Sequence, residues 1–186
     1  MAIITIGGHI GAGKTTIAAR LANTLGYDEL YMGGIMREFA RERGMTIEEF
    51  YAELKNNPKL EQSIDERQAK LMLEHDDLVV QGRVAWFFAK GSPFTVYNIF
   101  LAVDPEVGAE RSRRRPENAT RSIKELAAAN RERLQNEIER YRSLYGIQNF
   151  LDYGHYDFVL DTSEMDEPQV LGKILEKLHE RIEPDM

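Results

Sequence analysis

The segment Gly8-His9-Ile10-Gly11-Ala12-Gly13-Lys14-Thr15 constrains the architecture of this chain more than any other stretch of its sequence. It satisfies the pattern G-x-x-x-x-G-K-S/T at every defined position. Ala2-Ile3-Ile4-Thr5-Ile6 ahead of it has the apolar, β-branched character of a buried strand, and residues 14–25 behind it carry the period of a helix. The glycines therefore fall in a strand-to-helix turn, where the backbone can wrap closely around an anion. Successive N–H groups point inward, and the helix N-terminus adds partial positive charge. In such a turn Lys14 reaches the β and γ phosphates of a nucleoside triphosphate, and the Thr15 hydroxyl is the expected Mg2+ ligand.

The remaining sequence must say what is done with the triphosphate. A chain of 186 residues is expected to form one domain with a proper core. Its 24 basic and 31 acidic residues leave a net charge of −7, which argues against nucleic acid as the partner because phosphate backbones favour basic surfaces. The absence of cysteine removes disulfides, thiolate zinc sites and cysteine nucleophiles together. No apolar run approaches membrane-spanning length, and the first residues already read as a strand entering the phosphate loop. A cytoplasmic protein without a leader or a membrane partner is expected, and a monomer.

Taken in order, residues 27–32 read as a second strand ending at Gly33-Gly34. Residues 35–41 read as a helix closed by Gly44; Thr46 with Glu49 forms a capping-box pattern, so residues 47–54 read as another helix. A break at Asn56-Asn57-Pro58 precedes a strongly charged helix over 60–74 and a buried strand, Leu78-Val79-Val80-Gln81, ending in Gly82-Arg83. This long helical excursion between two strands far exceeds an ordinary crossover, and such excursions usually carry function. Trp86-Phe87-Phe88 sits on a short helix, as core or as a platform for stacking a base. A fourth strand over 97–103 ends at Asp104-Pro105. A helix from Glu106 carries Arg111, Arg113, Arg114 and Arg115 until Pro116 stops it. A helix over 122–145, a strand at 158–161 and a closing amphipathic helix over 167–181 complete an α/β fold with a parallel sheet covered on both faces.

Ligands of open α/β folds bind at the C-terminal ends of the strands. Arg37 and Arg83 both lie there, although a lone arginine is as well explained as a solvated surface group. Arg133, Glu137 and Arg140, spaced four and three apart, share one helical stripe. By periodicity alone they are a solvated i,i+4 ion pair, or else two guanidinium forks around a carboxylate facing a ligand. The run from Arg111 to Arg115 reads either as a basic surface patch or as a mobile lid whose arginines neutralise a transferring γ-phosphate. Asp104 caps the following helix or, in a Walker B-like setting, approaches the metal.

The order of these parts resembles the cytidylate kinase family, in particular its short archaeal-type members. The resemblance covers nearly the whole chain and rests on the phosphate loop, Tyr31-Met32-Gly33-Gly34-Ile35-Met36-Arg37-Glu38, Val80-Gln81-Gly82-Arg83, Ala109-Glu110-Arg111, and residues 140–147. It implies a three-layer P-loop fold with five parallel strands, a core of residues 1–32, 76–110 and 122–186, a monophosphate-binding insert over 33–75 and a lid over 111–121. It implies ATP held by Gly8, Gly11, Ala12, Gly13, Lys14, Thr15 and Thr16 with Mg2+ on Thr15. The acceptor, CMP or dCMP, would be held by Gly33, Arg37, Gln81, Gly82, Arg83, Arg133, Glu137 and Arg140, with Lys14, Arg111 and Arg115 catalytic. One position departs from the pattern: Gln81 stands where the family usually has Asp or Glu before Gly-Arg. A related kinase acting on another monophosphate or on a small alcohol such as shikimate or gluconate is the alternative, as is an ATP binder without turnover. A guanine-nucleotide switch is disfavoured, since no Asn-Lys-x-Asp occurs.

Overall fold

The computed structural model describes residues 2–115 and 118–182. Its centre is a five-stranded parallel sheet of order β2-β3-β1-β4-β5, built from β1 (Ala2–Gly8), β2 (Asp28–Tyr31), β3 (Leu78–Gln81), β4 (Thr95–Ala102) and β5 (Phe158–Asp161). All of β1 and β3 is buried, which explains their unbroken apolar runs: helices cover a parallel sheet on both sides. Alternate residues of β1 serve the two faces. Ile4 and Ile6 pack with Leu21 of α1 (Lys14–Leu25) and with Ile174 and Leu178 of α8 (Glu167–Ile182). Ile3 packs on the other side with Met72 of α4 (Pro58–Glu74) and Ala85 and Ala89 of α5 (Ala85–Ala89).

Between β2 and β3 the chain makes α2 (Met32–Glu42), α3 (Ile47–Asn56) and α4. These helices own a small core of Met36, Ala40, Phe50, Leu54 and Ile64. Phe50 and Leu54 are fully buried, and truncating either to Ala would cost about 3 kcal/mol or more. The Thr46–Glu49 capping box starts α3 as expected, whereas α4 begins earlier than its polarity suggested, at Pro58, with the Asn57 side chain accepting from Leu60 N. Gly33 and Gly34, where the second strand was expected to end, lie beyond β2, which stops at Tyr31. They lie in the first turn of α2, where the Tyr31 ring packs so close that a Cβ on either would stand 2.8 Å from it.

After β4 come α6 (Pro105–Arg113) and α7 (Ile123–Tyr145), the latter opened by a Ser122–Glu125 capping box and closed by Gly146. Pro116, expected to end α6, lies outside the described residues; the helix already stops at Arg113. Asp104 caps α6, its Oδ1 accepting from Glu106 N and Val107 N, so the capping reading stands over the Walker B-like one. Trp86 is core as well: 3% exposed, it packs with Tyr141, Ile147 and Phe150. With β3 and β4 flanking β1 in opposite directions of chain travel, the switch point of the sheet falls at the C-terminal end of β1, where the phosphate loop stands.

Candidate active site

The loop between β1 and α1 is held by two backbone approaches that only glycine permits. A Cβ on Gly8 would meet Leu101 O of β4 at 2.2 Å, and one on Gly11, whose φ is +82°, would meet Gly108 O of α6 at 2.2 Å. The loop is thus clamped between β4 and α6 before any ligand arrives. Lys14, the first residue of α1, donates from Nζ to His9 O across the loop. Burial holds the Lys14 pKa well below that of a free lysine; Arg83 pushes the same way, Glu137 opposes, and Arg133 and Arg115 add to the depression. A lysine kept this close to three arginines, with one carboxylate against them, is the electrostatic signature of a polyanion site.

Glu137 is the hub of that charge cluster. Only 8% exposed, it takes Arg133 Nε on Oε1 at 2.9 Å and faces Arg83 Nε with Oε2 at 2.8 Å, an ion-pair distance without hydrogen-bond alignment. Burial alone would raise its pKa, but Arg83 and then Arg133 outweigh burial and hold it below the usual carboxylate range. Arg83 also donates to Gly8 O at 2.6 Å, which ties the end of β3 to the phosphate loop. The Arg133–Glu137 pair is therefore the i,i+4 pair its spacing allowed, with Arg133 half-exposed but its carboxylate partner buried, and Arg83 at the end of β3 brings a second arginine onto that carboxylate.

Arg140 is placed differently from its neighbours on the stripe. Its Nε lies 3.1 Å from Glu61 Oε1 of α4, Nη2 donates to Tyr141 OH at 2.9 Å, and its guanidinium stacks between Tyr51 and Tyr141 with ring centroids 5.1 and 4.8 Å away. Burial opposes its charge, but Tyr141 and Glu61 more than compensate and raise its pKa. Arg37, exposed on α2, donates to Tyr31 OH at 2.5 Å and to Gly33 O at 3.1 Å. Thr15 Oγ1 stands 3.5 Å from Gln81 Oε1.

A single cleft of about 1240 Å³ collects these groups. Gly11, Gly13, Lys14, Thr15 and Thr16 of the phosphate loop and α1 line it, as do Gly33, Arg37, Gln81, Gly82 and Arg83 and, from α6 and α7, Arg115, Arg133, Glu137 and Arg140. Three expected residues are not on it. Gly8 serves the β4 contact and gives its carbonyl to Arg83, and the Ala12 side chain is packed into the core at 2% exposure. Arg111 turns the other way: it donates to Thr162 Oγ1 at 3.0 Å and to the carbonyls of Thr162, Ser163 and Met165 at 2.6 to 3.3 Å. It pins the loop after β5 and, of the arginines expected to be catalytic, does not line the cleft. The buried polar stripe Glu61, Asp65 and Gln68 on α4 also lines the cleft and was not expected. Its sequence signal was the spacing of four and three within a helix too charged to stand out.

Magnesium fits this cleft in one way. Among the described residues no cluster of three His, Cys, Asp or Glu could hold a metal by itself. Thr15 Oγ1 and Gln81 Oε1 are hard oxygen donors side by side, which suits an ion that arrives with phosphates and keeps most of its other ligands as phosphate and water oxygens. Among the described helices none is long and apolar enough to cross a membrane.

The solved structures with this shape include a shikimate kinase from Bacteroides thetaiotaomicron (TM-score 0.62, 19% identical, 98% of each chain covered) and a protein from Eubacterium ventriosum (TM-score 0.69, 17% identical, covering 96% of this chain and 98% of that one). At those identities they establish the fold, a three-layer α/β/α P-loop kinase fold. Sequence relatives are nearer. The cytidylate kinase of Methanopyrus kandleri is 38% identical, with 98% of this chain and 97% of the relative covered, and that of Pyrococcus furiosus is 39% identical over 87% of this chain and 80% of the relative. The profile of the cytidylate kinase-like family matches residues 3–164, and with relatives of this closeness along nearly its full length the chain belongs to that family.

Proposed function

We propose that the protein transfers the γ-phosphoryl group of ATP to CMP or dCMP, giving CDP or dCDP and ADP. The observation that carries this reading is that one cleft brings together the phosphate loop and the Arg83–Glu137–Arg133 cluster, which Arg83 ties to the loop through Gly8 O, in a chain 38% identical to a cytidylate kinase across its length. An acceptor phosphate between the two is presented in line to the terminal phosphate on Lys14. Its oxygen forms a bond to the γ-phosphorus as the bond from that phosphorus to the β,γ-bridging oxygen breaks, and ADP departs with the electron pair. The acceptor phosphate is largely dianionic at neutral pH, so no protein nucleophile or base is required.

What the chain supplies is position and positive charge. Lys14 neutralises the β and γ phosphates, and Arg83 and Arg133 take the acceptor phosphate while Glu137 keeps both arginines oriented and leaves the trio with a net positive charge. Arg115, exposed at the end of α6 but within electrostatic reach of Lys14, closes from the lid. Mg2+ held by Thr15, with Gln81 beside it, would screen charge on the transferred group. A neutral Gln81 in place of a carboxylate leaves the metal with less negative charge from the protein and makes the phosphates its main partners. We assign residues 33–75 to the acceptor-binding insert and 111–121 to the lid, of which 116 and 117 lie outside the described residues.

The arginine-and-carboxylate wall favours a phosphate-bearing acceptor over a simple alcohol. A coupled assay of ADP release against CMP, dCMP, UMP, AMP, shikimate and gluconate tests the reading. Turnover confined to the alcohols, or ATP binding without turnover on any acceptor, would overturn it.

A further inference from the structure

Tyr31 also lines the cleft, although nothing in the sequence pattern gives it a role there. It is the last residue of β2 and the register partner of Gln81 on β3, so the strand delivers it to the C-terminal rim of the sheet. Its ring lies over the first turn of α2, where a Cβ on Gly33 or Gly34 would stand 2.8 Å from it. Two consecutive glycines weaken a helix, and here they make room for a ring that has little freedom to turn away. Packing of this kind accounts for the ring and not for the hydroxyl, since phenylalanine would fill the same space. The hydroxyl has partners of its own. It accepts from Arg37 Nη1 at 2.5 Å, and the same nitrogen donates to Gly33 O at 3.1 Å. Burial raises the pKa of Tyr31, but hydrogen bonds with Arg37 and Thr15 and the charges of Arg37 and Arg115 outweigh burial and leave it lowered. The phenol oxygen thus stands between a group of the phosphate loop, Thr15, and a group of the α2 helix, Arg37, within electrostatic reach of Arg115.

We propose that Tyr31 is a positioning residue for phosphoryl transfer: its hydroxyl holds the exposed Arg37 guanidinium beside the phosphate loop, where the acceptor phosphate must arrive. This rests on the kinase reading above and adds a residue to it. An exposed arginine otherwise samples many rotamers, and that freedom is lost when it takes a phosphate. Both bonds to Arg37 use Nη1, which leaves the edge formed by Nη2 and Nε to pair with phosphate oxygens in one orientation. The guanidinium carbon, 5.6 Å from the Tyr31 ring centroid, is held from the same side by the ring. The free protein therefore already carries the ordering of Arg37, and less of the acceptor's binding energy is spent on it. Because Thr15 meets the same hydroxyl, the held guanidinium is registered against the loop that carries the donor phosphates rather than against α2 alone.

The test measures kcat, the KM for CMP and for ATP, and the thermal midpoint of the free enzyme in wild type, Tyr31→Phe, Arg37→Ala and the double variant. Tyr31→Phe keeps the ring and removes the hydroxyl. Its kcat/KM for CMP should fall about tenfold, the size of one hydrogen bond to a charged group, and mainly through KM. The ATP KM and the midpoint should stay close to wild type, because the ring still fills its place over α2. In the Arg37→Ala background the same substitution should cost less than about twofold, since the hydroxyl has lost the group through which it acts. A Tyr31→Phe variant within about twofold of wild type on CMP would overturn the role. An undiminished loss in the Arg37→Ala background would also overturn it, by making the hydroxyl a contact independent of Arg37. A lowered midpoint with unchanged kinetics would make the hydroxyl structural. In each of these cases wild type still phosphorylates CMP and the kinase reading stands; a wild type inactive on CMP would overturn that reading and the role of Tyr31 with it.

Discussion

Glu137→Gln isolates the electrostatics of the site, because it conserves shape and removes one charge. In the folded protein the carboxylate pairs with Arg83 at 2.8 Å and Arg133 at 2.9 Å, with side-chain exposures of 12% and 48% for the two arginines. At an effective dielectric near 20, each such pair represents about 4 kcal/mol of gross attraction at a charge separation of ~4 Å. Much of that offsets desolvation, and Arg133 can turn partly to water when its partner goes. Arg83 cannot, and Lys14 stands nearby with its own charge already disfavoured. Breaking a buried pair of this kind costs ~3 kcal/mol at the lower end of the observed range, which is a fall of ~6–12 °C in Tm for a domain of this size. A bound phosphate restores negative charge to the cluster, so the gap between wild type and variant should narrow when ATP and CMP are present in excess. The gap should also close at low pH. The folded-state pKa of Glu137 is depressed, so its contribution is fully present above the ordinary glutamate pKa and is lost as pH falls through the folded value. Differential scanning fluorimetry at neutral pH, with and without ligands, and a pH series down to the acid limb read all three effects. Equal midpoints at neutral pH, or a gap that ligands leave untouched, would refute the account of Glu137 as the counter-charge of a phosphate site.

Three further outcomes follow from the same geometry. Lys14→Ala should abolish phosphoryl transfer while leaving Tm equal to or above that of wild type, since burial and three arginines already oppose its charge; near wild-type ADP release would dismiss the site. Gln81→Asp puts a carboxylate, one methylene shorter, where the Gln81 amide oxygen lies 3.5 Å from Thr15 Oγ1, and kcat with CMP should rise, with the Mg2+ concentration needed for half-maximal rate falling; a lower kcat at every Mg2+ concentration would count against Gln81 as a weakened metal neighbour. Amides in 33–75 and in the described part of 111–121 should exchange more slowly with ATP and CMP together than with either alone, while β1 and β3 respond little; identical exchange in free and doubly bound protein would remove the insert-and-lid assignment.

The phosphate loop, the strands around it and the helix caps were legible in the sequence because each is a local device. A Gly-Lys-Thr turn, a Thr46–Glu49 box or a run such as Leu78-Val79-Val80 carries its geometry within a few residues of chain. Local pattern was silent on why Gly33 and Gly34 are glycines: they sit in the first turn of α2, where the Tyr31 ring leaves no room for a Cβ. It was silent on the long-range partners. Nothing near Arg111 in the chain announces that the carbonyls of residues 162–165 will claim its guanidinium, and nothing near Glu137 announces Arg83. The same holds for Glu61, Asp65 and Gln68: in sequence they are polar residues on a polar helix, and only the docking of α4 against α7 buries them beside a ligand cleft. Periodicity determines which side chains share a stripe. What that stripe faces, and therefore whether its charges are solvated or buried, is decided by packing between segments far apart in the chain.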